Sequence, residues 1–226
     1  MNASQENMPF ELRLYEDTPF AGDEVHYSEA VPRALYVSAG SIRVNGTEYP
    51  EDEGLVSTDP LSVHAGSNGA TIWRWEVASS TVPRITNGSR STLRLWGGIN
   101  PSLIADELLI RLDSVAFPPE GTALLHTHQG PGIRCLREGS IRIDTEGSTA
   151  SYCPGGAWFE GGPEPVFAQA ATDRPSRFIR AMVLPQSLLG ASSIRYVNDE
   201  DRGKRKSQSY RVFCETSISL NRGAGQ

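Results

Sequence analysis

"HTHQGPGIRCLREGSIRI", residues 126–143, is the stretch on which the reading of this chain turns. Its two histidines are one residue apart. In a strand, where side chains alternate between faces, they project to the same side. Neutral imidazoles on one face are a common start to a transition-metal site. After the Gly130-Pro131-Gly132 turn, "IRCLRE" has the apolar and β-branched content of a strand and stops at Gly139. The same pattern occurs earlier. "RALYVSAGSIRV" at 33–44 resembles "IRCLREGSIRI" at 133–143, and Gly40-Ser41-Ile42-Arg43 recurs 99 positions on as Gly139-Ser140-Ile141-Arg142. Each copy then runs through a hairpin glycine, Gly46 or Gly147, into a loop and a second apolar run. A repeat that agrees with its surrounding strand and turn pattern predicts a duplicated β domain.

The rest of the chain is consistent with this. Short apolar runs separated by turns, among them "TIWRWEV", "ELLIRLDSVAF" and "FIRAMVL", lie between 22 glycines and 15 prolines. Asn45-Gly46 is a strong hairpin signal. Helical signal is thin, with single turns expected in "NPSLIADELLIRL" and at 186–192. The prediction is an all-β chain of two tandem barrels with few short helices. The division expected is 1–85, 86–185 and a C-terminal extension, 186–226, whose strand-like "YRVFCETSISL" packs back on a barrel. The linker is expected in the polar stretch at 79–91.

Composition excludes several function classes. Of the 226 residues, 38% are hydrophobic and the net charge is −6. Apart from "RGKRK" at 202–206, read as a solvated loop, the basic residues are scattered, which argues against nucleic acid as a partner. No apolar run approaches the ~18 residues needed to cross a bilayer, so no membrane partner is expected. The N-terminal stretch has no basic region followed by an apolar one, and Cys135, Cys153 and Cys214 have no CxxC spacing. Both features predict a cytoplasmic protein with reduced thiols, Cys135 being buried as a small apolar residue.

Residues 121–166 resemble the cupins. Gly121, His126, His128 and Gly139 match the first cupin motif, a glycine, HxH, a glutamate and a second glycine, with one residue fewer before the first histidine. Pro154-Gly155-Gly156 resembles the PGD turn of the second motif. The resemblance holds over about 110–185 and is weaker over 25–80. It implies jelly-roll barrels, here a bicupin, and in the family a metal held by His, His, Glu and His. Two of those places are changed: the glutamate falls on Gly132 and the last histidine on Val166. In the first copy the HxH places hold Tyr27 and Glu29, with His26 and His64 nearby, so that half is expected to bind no metal.

Alternation suggests what replaces the missing ligands. If His126 and His128 point into the barrel, so do Gly132, Arg134, Trp158 and Glu160. One arrangement is a metal site of His126, His128 and Glu160 for Fe, Mn or Zn, with Glu164 as the substitute carboxylate if Glu160 faces out. Arg134 would then hold a substrate carboxylate and Trp158 would flank it. The other arrangement has no metal: Glu160 pairs with Arg134, and the histidines are polar residues or an acid–base pair. The cupin resemblance implies a metal-dependent dioxygenase- or isomerase-like enzyme on a small organic acid, with Arg134 and Glu160 as the working residues. The alternative is a metal-free ligand-binding cupin. Cupins also pair through barrel edges, which predicts a homodimer.

Overall fold

The computed structural model describes residues 8–82, 90–103 and 107–220. Most of the expected linker, 83–89, lies outside them. The described chain is built of antiparallel strands, with 3-10 turns at Pro101–Leu103, Gln186–Leu188 and Asp199–Asp201. The two helical expectations thus reduce to single tight turns.

The first barrel comprises β1 (Phe10–Asp17), β2 (Glu24–Tyr27), β3 (Arg33–Val44), β4 (Thr47–Pro50), β5 (Gly54–Ser57), β6 (Leu61–Ser79) and β7 (Ser91–Ile99). They form one sheet in the order β4-β3-β6-β1-β7, with β2 paired to β6 and β5 to β3. The long strands β3 and β6 bend at register shifts, so one sheet serves both walls. β7 lies beyond the expected boundary at 85/86, yet it pairs with β1 along its length. Its hydrogen bonds therefore place 91–99 with the first barrel.

The second barrel is two five-stranded sheets. One runs β13 (Ala157–Glu160), β10 (Gly132–Glu138), β15 (Ser176–Pro185), β8 (Leu108–Phe117), β17 (Ser209–Ile218). The other runs β12 (Ser148–Tyr152), β11 (Ile141–Thr145), β14 (Val166–Ala170), β9 (Thr122–His128), β16 (Ile194–Tyr196). The C-terminal extension supplies an edge strand to each sheet: β17 pairs with β8 and β16 with β9.

The repeated hairpins have matching backbones. Asn45 and Gly46 in one copy, and Glu146 and Gly147 in the other, all have positive φ, as a tight two-residue turn requires. Gly40 and Gly139 also share a left-handed φ. A Cβ on either would fall on a backbone carbonyl oxygen, Gly69 O at 2.2 Å or Pro175 O at 2.1 Å. The same physical demand at both places explains why glycine stands in both copies of the repeat.

The two barrels share one apolar core. Leu12, Leu14, Tyr36, Trp73 and Trp75 of the first meet Leu112, Ile133, Cys135, Ile179 and Val183 of the second. That is why β8 and β15 are buried almost continuously rather than alternately. One face of each lines the second barrel and the other lies against its neighbour. On the far sheet, where one side meets water, β11 alternates buried and exposed residues at Ile141-Arg142-Ile143.

Candidate functional site

The interior of the second barrel brings together a set of buried charges and two histidines. His126 and His128 come from β9, Arg134 from β10, Trp158 and Glu160 from β13, and all five line one small cavity of about 20 Å³. Strand register does the positioning. Gly132 pairs with Glu160 and Arg134 with Trp158 across β10–β13, while Val166 of β14 lies opposite His126. The carboxylate of Glu160 thus lies over a residue with no side chain, which leaves space for the guanidinium beside it. A Cβ on Gly132 would come within 2.9 Å of Arg134 Nη1 and 2.8 Å of Met182 Cγ. Arg134 fills the space that a side chain at the family's glutamate place would take.

The proton inventory follows from the hydrogen bonds. His126 Nδ1 is 2.6 Å from Leu124 O. A carbonyl only accepts, so Nδ1 carries the hydrogen and the Nε2 of the neutral ring bears a lone pair. His128 Nε2 lies 3.2 Å from that lone pair and 3.3 Å from Glu160 Oε2. Its N–H therefore points to His126 Nε2, with Glu160 Oε2 a close neighbour outside the hydrogen-bond direction, while its Nδ1 accepts from Ser193 Oγ at 3.2 Å. Both rings stay neutral because burial disfavours the cation: His126 is lowered, and His128 falls to about 3.

Glu160 remains ionised. Burial works to raise its pKa, but Arg134, the His128 contact and the Trp158 N–H together hold it well below the carboxylate range. Trp158 Nε1 donates to Glu160 Oε1 at 2.8 Å. Arg134 is fully buried, and burial draws it down to about 10 against the pull of Glu160. Its Nη1 donates to Gly132 O at 2.7 Å, and its Nη2 lies 2.7 Å from Glu160 Oε2. This last contact is ionic but off the hydrogen-bond direction, so both atoms are buried without a directed hydrogen bond. Free bonding directions on two buried charged atoms are unusual and face the cavity.

A second pair supports the first. Arg180 of β15 lies directly across from Arg134 and makes two bonds to Asp113 of β8, at 2.7 and 3.0 Å. With both histidines neutral, Arg134, Arg180, Glu160 and Asp113 sum to zero charge. Asp113, Arg180, Ser193, Gln208 and Tyr210 were not singled out from the sequence. The signal that marks two of them is a charge inside an apolar run: Arg180 in "FIRAMVL" and Asp113 in "IRLDSVAF".

Trp158 is stacked on Tyr152 at 4.7 Å and meets Phe178 edge-on. It packs in the barrel core and bonds Glu160 as well as touching the cavity. Glu164 is half-buried in its loop and does not line the cavity, so the substitute carboxylate is not brought to the histidines.

The metal that cupin resemblance implies is tested by these donors. His126 Nε2 is already set to ligate. His128 would need its other tautomer, and Glu160 Oε2 would have to leave Arg134. Among the described residues, no group of three or more His, Cys, Asp and Glu side chains is placed to hold a metal ion. His126, His128 and Glu160 are engaged with one another and with Arg134 in this arrangement, and would hold an ion only after that change of tautomer and partner.

In the first barrel, Tyr27 is buried while Glu29, His26 and His64 are exposed. Glu24 lies within 3.8 Å of His26 and 3.5 Å of His64 on the outer side of β2 and β6. This barrel has a larger cavity, about 750 Å³. Its floor is made of matched ion pairs, Arg74–Asp17 at 2.6 Å and Arg33–Glu76 at 3.3 Å.

No protein-family model and no curated protein matches the chain. Solved structures do, at low identity. A tryptophan-to-tyrosine variant of Bacillus subtilis oxalate decarboxylase aligns at TM-score 0.54 with 11% identity, over 88% of this chain and 74% of that one. Lactobacillus farciminis oxalate decarboxylase, in a formate complex, aligns at 0.54 with 10% identity, over 88% and 82%. A glycine-to-alanine variant of salicylate 1,2-dioxygenase from Pseudoaminobacter salicylatoxidans, with gentisate, aligns at 0.50 with 12% identity, over 84% and 72%. These are cupin-domain proteins, and the likeness spans both barrels. The chain has the cupin jelly-roll fold, in tandem.

Proposed function

We propose that the second barrel is a site for a small organic acid, with Arg134 as the carboxylate anchor and the neutral histidine pair beside it. The observation that carries this is the pair of buried charged atoms, Arg134 Nη2 and Glu160 Oε2, held 2.7 Å apart without a directed hydrogen bond. A ligand carboxylate can bond the free direction of the guanidinium. The small cavity has room for about one water. A neighbouring pocket of about 210 Å³, which shares Arg180, Tyr210 and Ile194 as lining residues, has room for the body of a small acid. The acids of the structural neighbours, oxalate and salicylate in the enzyme names and formate as a bound ligand, are of this class.

The test is thermal stabilisation of the full-length protein by a panel of small mono- and dicarboxylates. At least one should raise Tm in the wild type and leave Arg134→Gln unmoved. No response across the panel, or an equal response in the variant, would overturn the reading. Turnover of the stabilising acid then separates an enzyme from a binding module.

A metal-dependent enzyme is the second reading. It is favoured by two imidazoles whose Nε2 atoms converge at 3.2 Å while each Nδ1 has a protein partner, as metal-ligating histidines have. Metal analysis of untagged protein, after anaerobic loading with Fe(II), Mn(II) and Zn(II), decides it. Under this reading His126→Ala and Glu160→Ala both release the ion and Glu164→Ala retains it. A cytoplasmic setting accords with three free cysteines, Cys135, Cys153 and Cys214. Among the described residues no helix is long and apolar enough to cross a membrane. A homodimer remains our proposal, and a light-scattering mass near the 24.6 kDa of one chain would refute it.

A further inference from the structure

The "RGKRK" run is the solvent-exposed loop expected from the sequence, and it also walls a pocket. With Thr122 and Leu124 of β9 and Tyr196 of β16, Lys204, Arg205 and Lys206 enclose a pocket of about 170 Å³. In a chain of net charge −6, no carboxylate lines it. Lys204 is paired with Asp201 at 2.7 Å, but Arg205 and Lys206 have no ion-pair partner among the described residues. The loop is fastened in place: Ser207 Oγ donates to Thr122 O at 2.7 Å and accepts from Thr122 N at 2.8 Å. At the inner wall stands Gln208, which lines both this pocket and the buried barrel cavity and is 7% exposed. Its Nε2 donates to Tyr210 Oη at 2.9 Å, and its Oε1 is buried without a partner.

We propose that this pocket is an oxyanion subsite at the mouth of the second barrel. It takes a small anion that also bears a hydroxyl, such as hydrogen phosphate or a hydroxycarboxylate. Arg205 and Lys206 supply charge and donors for the anionic oxygens. Gln208 Oε1 can only accept, so it selects a ligand with an O–H to donate. The inference is independent of the acid-binding reading of the barrel interior, and one variant separates the two.

The experiment is titration calorimetry on the full-length protein at fixed ionic strength and pH 7, with inorganic phosphate against sulfate and glycolate against acetate. The members of each pair differ in the hydroxyl. The hydroxyl-bearing member should bind about five- to ten-fold more tightly, the worth of one good hydrogen bond. Discrimination in the phosphate pair alone assigns the subsite to phosphate, and in the glycolate pair alone to a hydroxy acid. Discrimination in neither overturns the proposal. Gln208→Leu should bring the preferred anion down to its hydroxyl-free partner and leave that partner unchanged. Joint Arg205→Ala and Lys206→Ala should weaken both by at least about ten-fold, and unchanged binding there also overturns it. Arg134→Gln should leave the phosphate and sulfate titrations as in the wild type; the two carboxylates are not used for this comparison, because Arg134 is the proposed anchor of such acids. Loss of phosphate and sulfate binding in that variant would move the anion into the barrel and end the subsite, whatever becomes of the acid panel.

Discussion

Arg134 holds a full charge with no exposed surface, and Glu160 is its counterion. Removing one partner leaves the other charge buried alone, so Glu160→Ala should cost about 3–5 kcal/mol in urea unfolding. Joint Arg134→Met and Glu160→Leu should cost much less, because no orphan charge remains. Equal losses would show that Glu160 contributes packing alone. The histidines add a pH dependence whose sign is fixed by burial. His128 titrates at about 3 when folded and near 6.5 when unfolded, so below pH 6.5 the unfolded chain takes up a proton that the folded one refuses. Stability is present above that pH and is lost as pH falls toward 3. Between pH 6.5 and 5 the metal-free wild type should lose about 1.6 kcal/mol more than His128→Asn. An identical slope would place the lost stability elsewhere. The residues named from the sequence were those that a turn and a two-residue period locate: His126, His128, Arg134, Trp158 and Glu160. Alternation says which face a side chain takes but not which strand stands opposite. Asp113 and Arg180, from strands far apart in the chain, could not be joined to Arg134 on that ground.

At the scale of the element, the repeated Gly-Ser-Ile-Arg hairpin was legible because it needs one thing twice, a left-handed residue beside a neighbouring backbone. Two glycines in the second copy separate the costs involved. Gly147 has φ +72 with nothing within 4 Å of a Cβ, so Gly147→Ala should cost only the conformational strain, about 1 kcal/mol. Gly139 has φ +80 and would also place its Cβ 2.1 Å from Pro175 O. Gly139→Ala should therefore lose about 2–4 kcal/mol, strain and displacement of β15 together. Comparable midpoints for the two variants in chemical denaturation would show that the carbonyl contact yields freely. The division at 85/86 was less legible. A strand's own pattern does not say whether its hydrogen-bonding partner lies before or after it, and β7 is bound to β1 rather than to the strands that follow.

For the molecule as a whole, the near-continuous burial of β8 and β15 has a mechanical consequence. Their outer faces belong to the apolar cluster that also holds Leu12, Tyr36 and Trp75 of the first barrel. Phe213 of β17 sits edge-on to Tyr36, and Arg177 pairs with Asp52 at 2.7 Å, so the seam is apolar at its centre and ionic toward its rim. Trp75 crosses it most directly: it is fully buried and its Nε1 donates to Ile133 O at 3.1 Å, next to Arg134 on β10. Neither barrel can open without exposing the shared face. The full-length chain should therefore unfold in one cooperative step, with far-UV dichroism and tryptophan fluorescence tracing the same curve. Trp75→Phe removes that hydrogen bond and leaves a small void, at a cost of about 1–3 kcal/mol. Because the lost contact belongs to both barrels, the variant should lower amide-exchange protection on β10 and on β6 by the same free energy. Protection reduced on β6 alone, or an unfolding curve split into two steps, would mean that the barrels are stable separately and that the seam only fixes their orientation.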